Sequence, residues 1–178
     1  MKKFLVSFLL FALLISQSAM AELTLDDLSF NSDQIKVDPQ FSKVIKERQR
    51  KLQIHQKLGL ATMAAMTTTV LLSGDAKRND AHKIAGITSG LLYWTTAYYS
   101  LSAPEVEGAK ETGSSKIHKT LAWVHAPLMA IVPVLGYINK DNDSKGKRSH
   151  GLVAAHGSLA SVAYISFMAA GLTMFFDF

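Results

Sequence analysis

The sequence has no cysteine, only four prolines and no motif of a nucleotide-binding or hydrolytic enzyme. Without cysteine the chain cannot form disulfides, thiolate metal sites, covalent c-type haem attachments or cysteine-held iron–sulfur clusters. A Walker-type loop, an HExxH pair and a Ser-His-Asp order are also missing, so NTPases and hydrolases find no support. Any bound metal or cofactor must therefore use nitrogen, oxygen or thioether ligands.

Charge is scarce within four apolar blocks, although 19% of all residues are charged. The blocks cover residues 58–73, 84–103, 121–138 and 151–176. A helix on the surface of a soluble bundle carries charge on its outward face, and these blocks carry almost none. The pattern predicts four membrane-spanning helices joined by short connectors, which force neighbouring helices to run antiparallel.

A secretory leader is predicted for residues 1–21. Lys2 and Lys3 precede an apolar run, and Ala19-Met20-Ala21 matches a cleavage site. The alternative is an uncleaved membrane helix, but the run is shorter than the ~20 residues that a span needs. Because the leader holds two lysines and no acid, its removal lowers the formal charge from +5 to +3. This modest excess suits membrane lipid and not nucleic acid.

Residues 22–51 form a separate predicted segment between the leader and the membrane domain of residues 52–178. Residues 22–37 are polar and acidic, and Asp38-Pro39 is a helix start signal. The basic amphipathic stretch that follows has two interpretations. It is either a helix lying on lipid headgroups or a helical extension of the first span into water.

The predicted topology follows from the leader, which places Glu22 outside the cytoplasm. The fold class is then an all-α transmembrane antiparallel four-helix bundle, in the inner membrane of a bacterium with its N-terminal tail in the periplasm. The third connector, with Lys140, Lys145, Lys147 and Arg148, would face the cytoplasm, in agreement with the positive-inside rule. The basic cluster of residues 43–57 would face outward and does not follow that rule.

Six histidines are the most informative side chains. His55, His82, His118 and His150 each stand at the entry of one apolar block, whereas His125 and His156 lie deeper in the third and fourth blocks. A small residue follows each of the four entry histidines by four positions, one turn along on the same face. Such a residue would let a flat, bulky group approach the helix beside the imidazole.

Antiparallel spans sort the entry histidines into two pairs, one near each membrane surface. His55 pairs with His118, and His82 pairs with His150. His125 lies seven residues beyond His118 on the same face and can replace it. His156 is rotated by about 240° from His150, so only one of these two can face the interior. Neutral imidazole is a good axial ligand for haem iron, and bundle cores are where such cofactors bind.

With its His-x-x-x-Gly entries at His55 and His82 and its alternating pairs, the sequence resembles the cytochrome b561 family. That resemblance implies a four-helix core holding one or two b-type haems and acting as a transmembrane electron-transfer oxidoreductase. It implies that His55 with His118 or His125 binds the outer haem iron, and His82 with His150 or His156 the inner one. The implied partners are membrane lipid and a redox protein or quinone, with no nucleic acid.

Two other functions agree with the same residues. The first is a non-catalytic membrane subunit or scaffold whose histidines lie at the interface. The second is a carrier of transition-metal ions, which the absence of carboxylates inside the spans disfavours. An absorption spectrum of the oxidised and the reduced protein separates the cytochrome from both alternatives.

Overall fold

The computed structural model describes residues 38–75, 80–106 and 111–175. The predicted leader and acidic tail, residues 1–37, lie outside these ranges. Within the described residues the ordered elements are all helices and no strand occurs. The prediction of an all-α protein is thus confirmed.

Five α-helices make up the described fold. They are α1 (Pro39–Leu71), α2 (Ala81–Leu101), α3 (Gly113–Ser144), α4 (Gly151–Ala154) and α5 (His156–Thr173), with a 3-10 turn at Ser73–Asp75 after α1. Ala155 alone separates α4 from α5, and its carbonyl accepts a hydrogen bond from the Leu159 amide at 3.0 Å. The last two helices therefore follow one another with almost no interruption.

The basic stretch before the first apolar block is part of α1 and not a separate helix. α1 runs without a break through 33 residues, which corresponds to about 50 Å at 1.5 Å per residue. A bilayer core is about 30 Å thick. The helix is thus longer than a span and continues well beyond the block at residues 58–73.

α3 is also longer than the apolar block at residues 121–138, since it runs from Gly113 to Ser144. The helix begins at Gly113 because the Thr112 side chain caps it, accepting the Ser115 amide at 3.2 Å. It ends where Gly146 adopts a positive φ of 66°, a conformation that glycine tolerates. The charged residues that border the apolar block therefore do not end the helix. Capping groups do.

The helices pack as two hairpins. α1 lies mainly against α2, and α3 mainly against α5; we call these the first and second hairpins. The buried core between them consists of Met66, Tyr93, Met129, Ala163 and Phe167. Each hairpin contributes to this cluster, so the core holds the hairpins together.

Large apolar side chains also cover the outside of the bundle. Leu101 is 85% exposed, Trp123 82% and Leu91 68%. Among the described helices, α3 is the one that is long and apolar enough to cross a membrane by length and composition. An apolar surface of this extent indicates contact with lipid or with another protein.

Candidate functional site: two histidine pairs

Two imidazoles from different hairpins meet at one end of the bundle. The ring centroids of His55 in α1 and His118 in α3 lie 6.0 Å apart, and the ring planes are nearly perpendicular at 85°. We call these residues the His55–His118 pair. The prediction left open whether His118 or His125 lies beside His55, and the structure places His118 there.

A second pair occupies the other end of the bundle. The His82 ring in α2 lies 6.3 Å from the His156 ring in α5, with perpendicular planes at 90°. We call these residues the His82–His156 pair. The prediction placed His150 or His156 next to His82, and the ring found there belongs to His156.

Every ring of the two pairs is held by a backbone carbonyl of the other helix in its own hairpin. In the first hairpin, Nδ1 of His55 lies 2.9 Å from the Thr96 carbonyl, and Nδ1 of His82 lies 2.9 Å from the Thr69 carbonyl. In the second hairpin the bonds are His118 to Ala170 at 2.8 Å and His156 to Val132 at 3.1 Å. Within each hairpin, each helix therefore supplies a carbonyl to the histidine of the other helix. Both hairpins have this same arrangement.

These hydrogen bonds determine which nitrogen is available to a ligand. A carbonyl only accepts, so the neutral ring donates its Nδ1–H and keeps Nε2 unprotonated. None of the four rings has an Nε2 hydrogen bond among the described residues. An imidazole fixed by a carbonyl at Nδ1 is the usual arrangement of a metal-binding histidine. All four rings thus keep Nε2 available to a ligand.

The spacing within each pair matches two imidazoles on opposite sides of one metal ion. A metal–imidazole bond is about 2.0–2.1 Å long and the ring centre lies about 1 Å behind the nitrogen, so the centroids should be roughly 6 Å apart. The observed 6.0 and 6.3 Å agree with that value. Each pair supplies only two ligands, and no group of three or more candidate ligand side chains occurs in the described ranges. A macrocycle with four nitrogens of its own complements two axial imidazoles.

The four helices share one register around the pairs. Each of these helices contributes one paired histidine and, 14 residues later, one backbone carbonyl. That carbonyl accepts a hydrogen bond from the histidine of the other helix in the same hairpin. The histidine and acceptor positions are 55 and 69, 82 and 96, 118 and 132, and 156 and 170. Fourteen residues span about 21 Å. The two pairs are therefore separated by about 21 Å along the bundle, which is less than the thickness of a bilayer core.

The residues between the two pairs follow the same register. Positions seven residues after the four histidines are all buried, and they hold Thr62, Ser89, His125 and Ala163. Positions eleven residues after them are buried as well, and they hold Met66, Tyr93, Met129 and Phe167. Because neighbouring helices run in opposite directions, the two methionines lie toward the His82–His156 pair. Tyr93 and Phe167 lie toward the His55–His118 pair.

The two remaining histidines belong to neither pair. His125 is 4% exposed, and its Nδ1 lies 2.9 Å from the Tyr93 hydroxyl, while its Nε2 is buried without a partner. It stands halfway between the pairs. His150 is exposed, precedes α4 in an extended conformation and is followed by Gly151 with a φ of 56°. This turn keeps His150 outside the bundle.

Small residues leave room beside the paired rings. A Cβ atom at Gly59 would lie 3.8 Å from the Thr96 methyl, and one at Gly86 would lie 3.6 Å from the Thr69 methyl. These are ordinary contacts, so helix packing does not require glycine at either position. Gly136 differs, because its Cβ would lie 2.8 Å from Cε1 of His156. Only glycine lets the His156 ring approach α3 this closely.

A cavity of about 1030 Å³ opens at the His82–His156 pair. Met66, Met129 and both histidines line it, as do Lys83 and Arg148. Ligand sites commonly measure about 300–1,000 Å³. The cavity is thus as large as sites that hold sizeable organic cofactors.

The sequence contains a pattern that distinguishes His156 from His150, which the comparison of block entries did not use. Eleven residues after His55, His82 and His118 stand Met66, Tyr93 and Met129, all large side chains. Eleven residues after His156 stands Phe167, whereas eleven residues after His150 stands Ser161. The shared register therefore selects His156. The carbonyl acceptors have no such signal, because every residue has a carbonyl.

Comparison with known proteins gives no match, whether to protein-family models, to curated proteins or to solved structures.

Proposed function

We propose that the chain is an integral membrane protein in which α1, α2, α3 and the α4–α5 segment cross the bilayer as an antiparallel bundle. The exposed apolar surface supports this proposal, because Leu91, Leu101 and Trp123 would otherwise contact water. The proposed location is a bacterial inner membrane, with the predicted leader removed. The His55–His118 pair would then lie on the periplasmic side and the His82–His156 pair on the cytoplasmic side.

We further propose that each histidine pair binds one b-type haem and that the protein carries electrons across the membrane. The observation that carries this proposal is the geometry of the pairs. Two perpendicular imidazoles stand 6.0 or 6.3 Å apart, and a carbonyl holds Nδ1 of every ring. Ionisable groups inside a membrane are costly and are functional candidates by default.

The residues of the bundle have separate tasks in this proposal. The four carbonyl acceptors orient the imidazoles and fix their tautomer before a ligand binds. The core residues Met66, Tyr93, Met129 and Phe167 keep water out of the space between the pairs. Haem, when bound, supplies a one-electron couple between ferric and ferrous iron.

The arrangement also agrees with the resemblance to the cytochrome b561 family. In that family the two haems lie near opposite membrane faces and are bound by histidines from alternate helices. Here the pairs join α1 with α3 and α2 with α5, which are alternate segments along the chain when α4 and α5 are counted as one. The electron donor and acceptor would be a redox protein or a quinone on either side.

The test is an absorption spectrum of the full chain, purified in detergent from cells supplied with haem. We expect a sharp band of reduced b-type haem after addition of dithionite, and two haems per chain. His55→Ala and His82→Ala should each remove one haem, because each variant loses one ligand of a different pair.

His150→Ala is the matched control, since His150 lies outside the bundle and should not affect the spectrum. A colourless native preparation from haem-replete cells would contradict the proposal. It would favour instead a non-catalytic membrane subunit or scaffold with interfacial histidines.

A further inference from the structure

One face of the first half of α1 carries a stripe of four cations: Lys43, Lys46, Arg50 and Lys57. At 100° per residue their side chains fall within an arc of about 60°. All four are exposed, and none forms an ion pair with another described residue. We call this surface the α1 stripe.

The other two cations of this segment fix the orientation of the stripe. Arg48 donates from Nη1 to the Pro104 carbonyl at 2.8 Å, and Lys51 donates from Nζ to the Ser102 carbonyl at 2.6 Å. Both bonds join α1 to the end of α2. From the centre of the α1 stripe, Arg48 lies about 170° around the helix and Lys51 about 110°. The stripe therefore faces away from the bundle along a helix that is tied in place.

The position of the α1 stripe relative to lipid follows from the same helix face. Beyond Lys57 this face continues with Ala61, Ala64 and Thr68, which are exposed and uncharged. In the membrane orientation proposed above, the membrane surface therefore lies near Lys57. Lys43 is 14 residues, or about 21 Å, further out, whereas the headgroup layer is only about 5–8 Å thick on each side. Most of the stripe stands beyond the reach of lipid headgroups.

We propose that the α1 stripe is the docking surface for an acidic soluble protein, which, if the proposed function holds, exchanges electrons at the His55–His118 pair. Charge complementarity identifies the partner: an acidic surface about 20 Å long would pair with all four cations. Such pairs speed encounter and fix orientation more than they add affinity. His55 lies two residues from Lys57, so a partner docked here is close to that end of the bundle. The proposal also gives a role to the cations that depart from the positive-inside rule.

Because the native chain has no cysteine, a single introduced cysteine can carry one fluorescent label at a chosen position. A Gln53→Cys variant puts a single thiol beside the α1 stripe, where an environment-sensitive fluorophore reports binding at this end only. The labelled full chain, in phosphatidylcholine nanodiscs, is titrated with a small acidic flavoprotein. We expect binding that weakens as salt rises. We also expect the charge reversals Lys46→Glu and Arg50→Glu together to weaken it by about tenfold or more.

The control is Lys145→Glu, a charge reversal at the other end of the bundle on an exposed side chain that does not line the cavity, which should leave the fluorescence titration unchanged. Equal affinity of the stripe variant and the native chain would overturn the proposal. So would a signal that phosphatidylglycerol nanodiscs produce without the flavoprotein, because the occupant would then be anionic lipid.

The fluorescence titration does not require haem, so it keeps this proposal separate from the proposed function. If the native chain binds haem, the reduced flavoprotein should also reduce it more slowly in the stripe variant. A chain that binds the flavoprotein but no haem would support the docking surface and contradict the cytochrome.

Discussion

The His156 ring depends on one glycine for its position. A Cβ atom at position 136 would lie 2.8 Å from Cε1 and 3.2 Å from Nδ1 of this ring, which is closer than such atoms normally approach. We expect Gly136→Ala to displace the ring and lengthen its 3.1 Å bond to the Val132 carbonyl. Under the proposed function, the His82–His156 pair should then fail to bind haem while the His55–His118 pair still binds one. Haem per chain, measured by pyridine haemochrome, tests this outcome.

Gly90→Ala is the control for that substitution, since a Cβ at position 90 meets nothing within 4 Å. Two haems per chain and an unaltered spectrum in Gly136→Ala would show that the His156 ring does not need its close approach to α3.

His150 and His156 give a second prediction for single residues. We expect His156→Ala to remove one haem because its ring faces His82 at 6.3 Å. His150→Ala should retain both haems because the side chain is exposed. The measurement is the reduced absorption spectrum of the two variants at equal protein concentration. Loss of haem from His150→Ala alone would mean that the fourth segment places a different histidine in the bundle.

The sequence predicted the six candidate histidines, but not which four would form pairs. Entry positions favoured His150, whose place before Gly151 turns it away from the bundle. A positive φ at glycine is a local conformation that helical periodicity does not reveal. The hydrogen bond between Tyr93 and His125 could not be predicted from the sequence either, because it joins residues 32 positions apart on two hairpins.

At the scale of elements, a few hydrogen bonds between side chains join the two hairpins. The Tyr93 hydroxyl in α2 lies 2.9 Å from Nδ1 of His125 in α3. We expect Tyr93→Phe to leave both nitrogens of the buried His125 ring without a partner, which costs about 1–3 kcal/mol. Thermal unfolding in detergent, followed by circular dichroism, should show a lower midpoint than in the native chain.

Tyr98→Phe is the matched control, because Tyr98 is 64% exposed and lies on the outer side of α2. If Tyr93→Phe and Tyr98→Phe unfold at the same temperature, the bond to His125 does not contribute to the association of the hairpins.

The apolar blocks located the helices but not their ends. α1 extends 19 residues before the block that begins at residue 58, and α3 extends from Gly113 to Ser144 around the block at residues 121–138. Hydropathy reports where a helix meets lipid or core, whereas its ends depend on caps such as Thr112 and Gly146. The connectors did not predict that α2 packs mainly on α1, because α2 and α3 are also joined by a short connector and pack less closely.

At the scale of the whole molecule, the two ends of the bundle share one backbone register but have different surroundings. The His82–His156 pair lies beside Met66, Met129 and the large cavity. Tyr93 and Phe167 lie toward the His55–His118 pair, and both rings contact His125. Reduction potentials of haem depend on burial, nearby charge and hydrogen bonding. Two haems bound here should therefore have two different midpoint potentials.

The cations at the cavity should raise the midpoint potential of a haem bound at the His82–His156 pair. Lys83 and Arg148 line the cavity at the His82–His156 pair together with Lys140, Lys147 and the carboxylates of Asp80, Asp141 and Asp143, so four cations face three carboxylates there. A positive charge favours the reduced form of a nearby iron. We expect Lys83→Gln together with Arg148→Gln to lower the midpoint potential of that haem. The other haem lies about 21 Å away along the bundle, beyond the ~8 Å over which exposed charges act at physiological salt. Its potential should not change.

A potentiometric titration resolves the two haems, and the His118→Ala background isolates the one at the cavity. Lys43→Gln with Lys46→Gln is the control, since these side chains are far from the cavity on α1. An unchanged potential in the cavity variant would mean that the two cations are screened by water before their charge reaches the iron. Equal shifts of both haems would place the effect in the net charge of the molecule and not at this site.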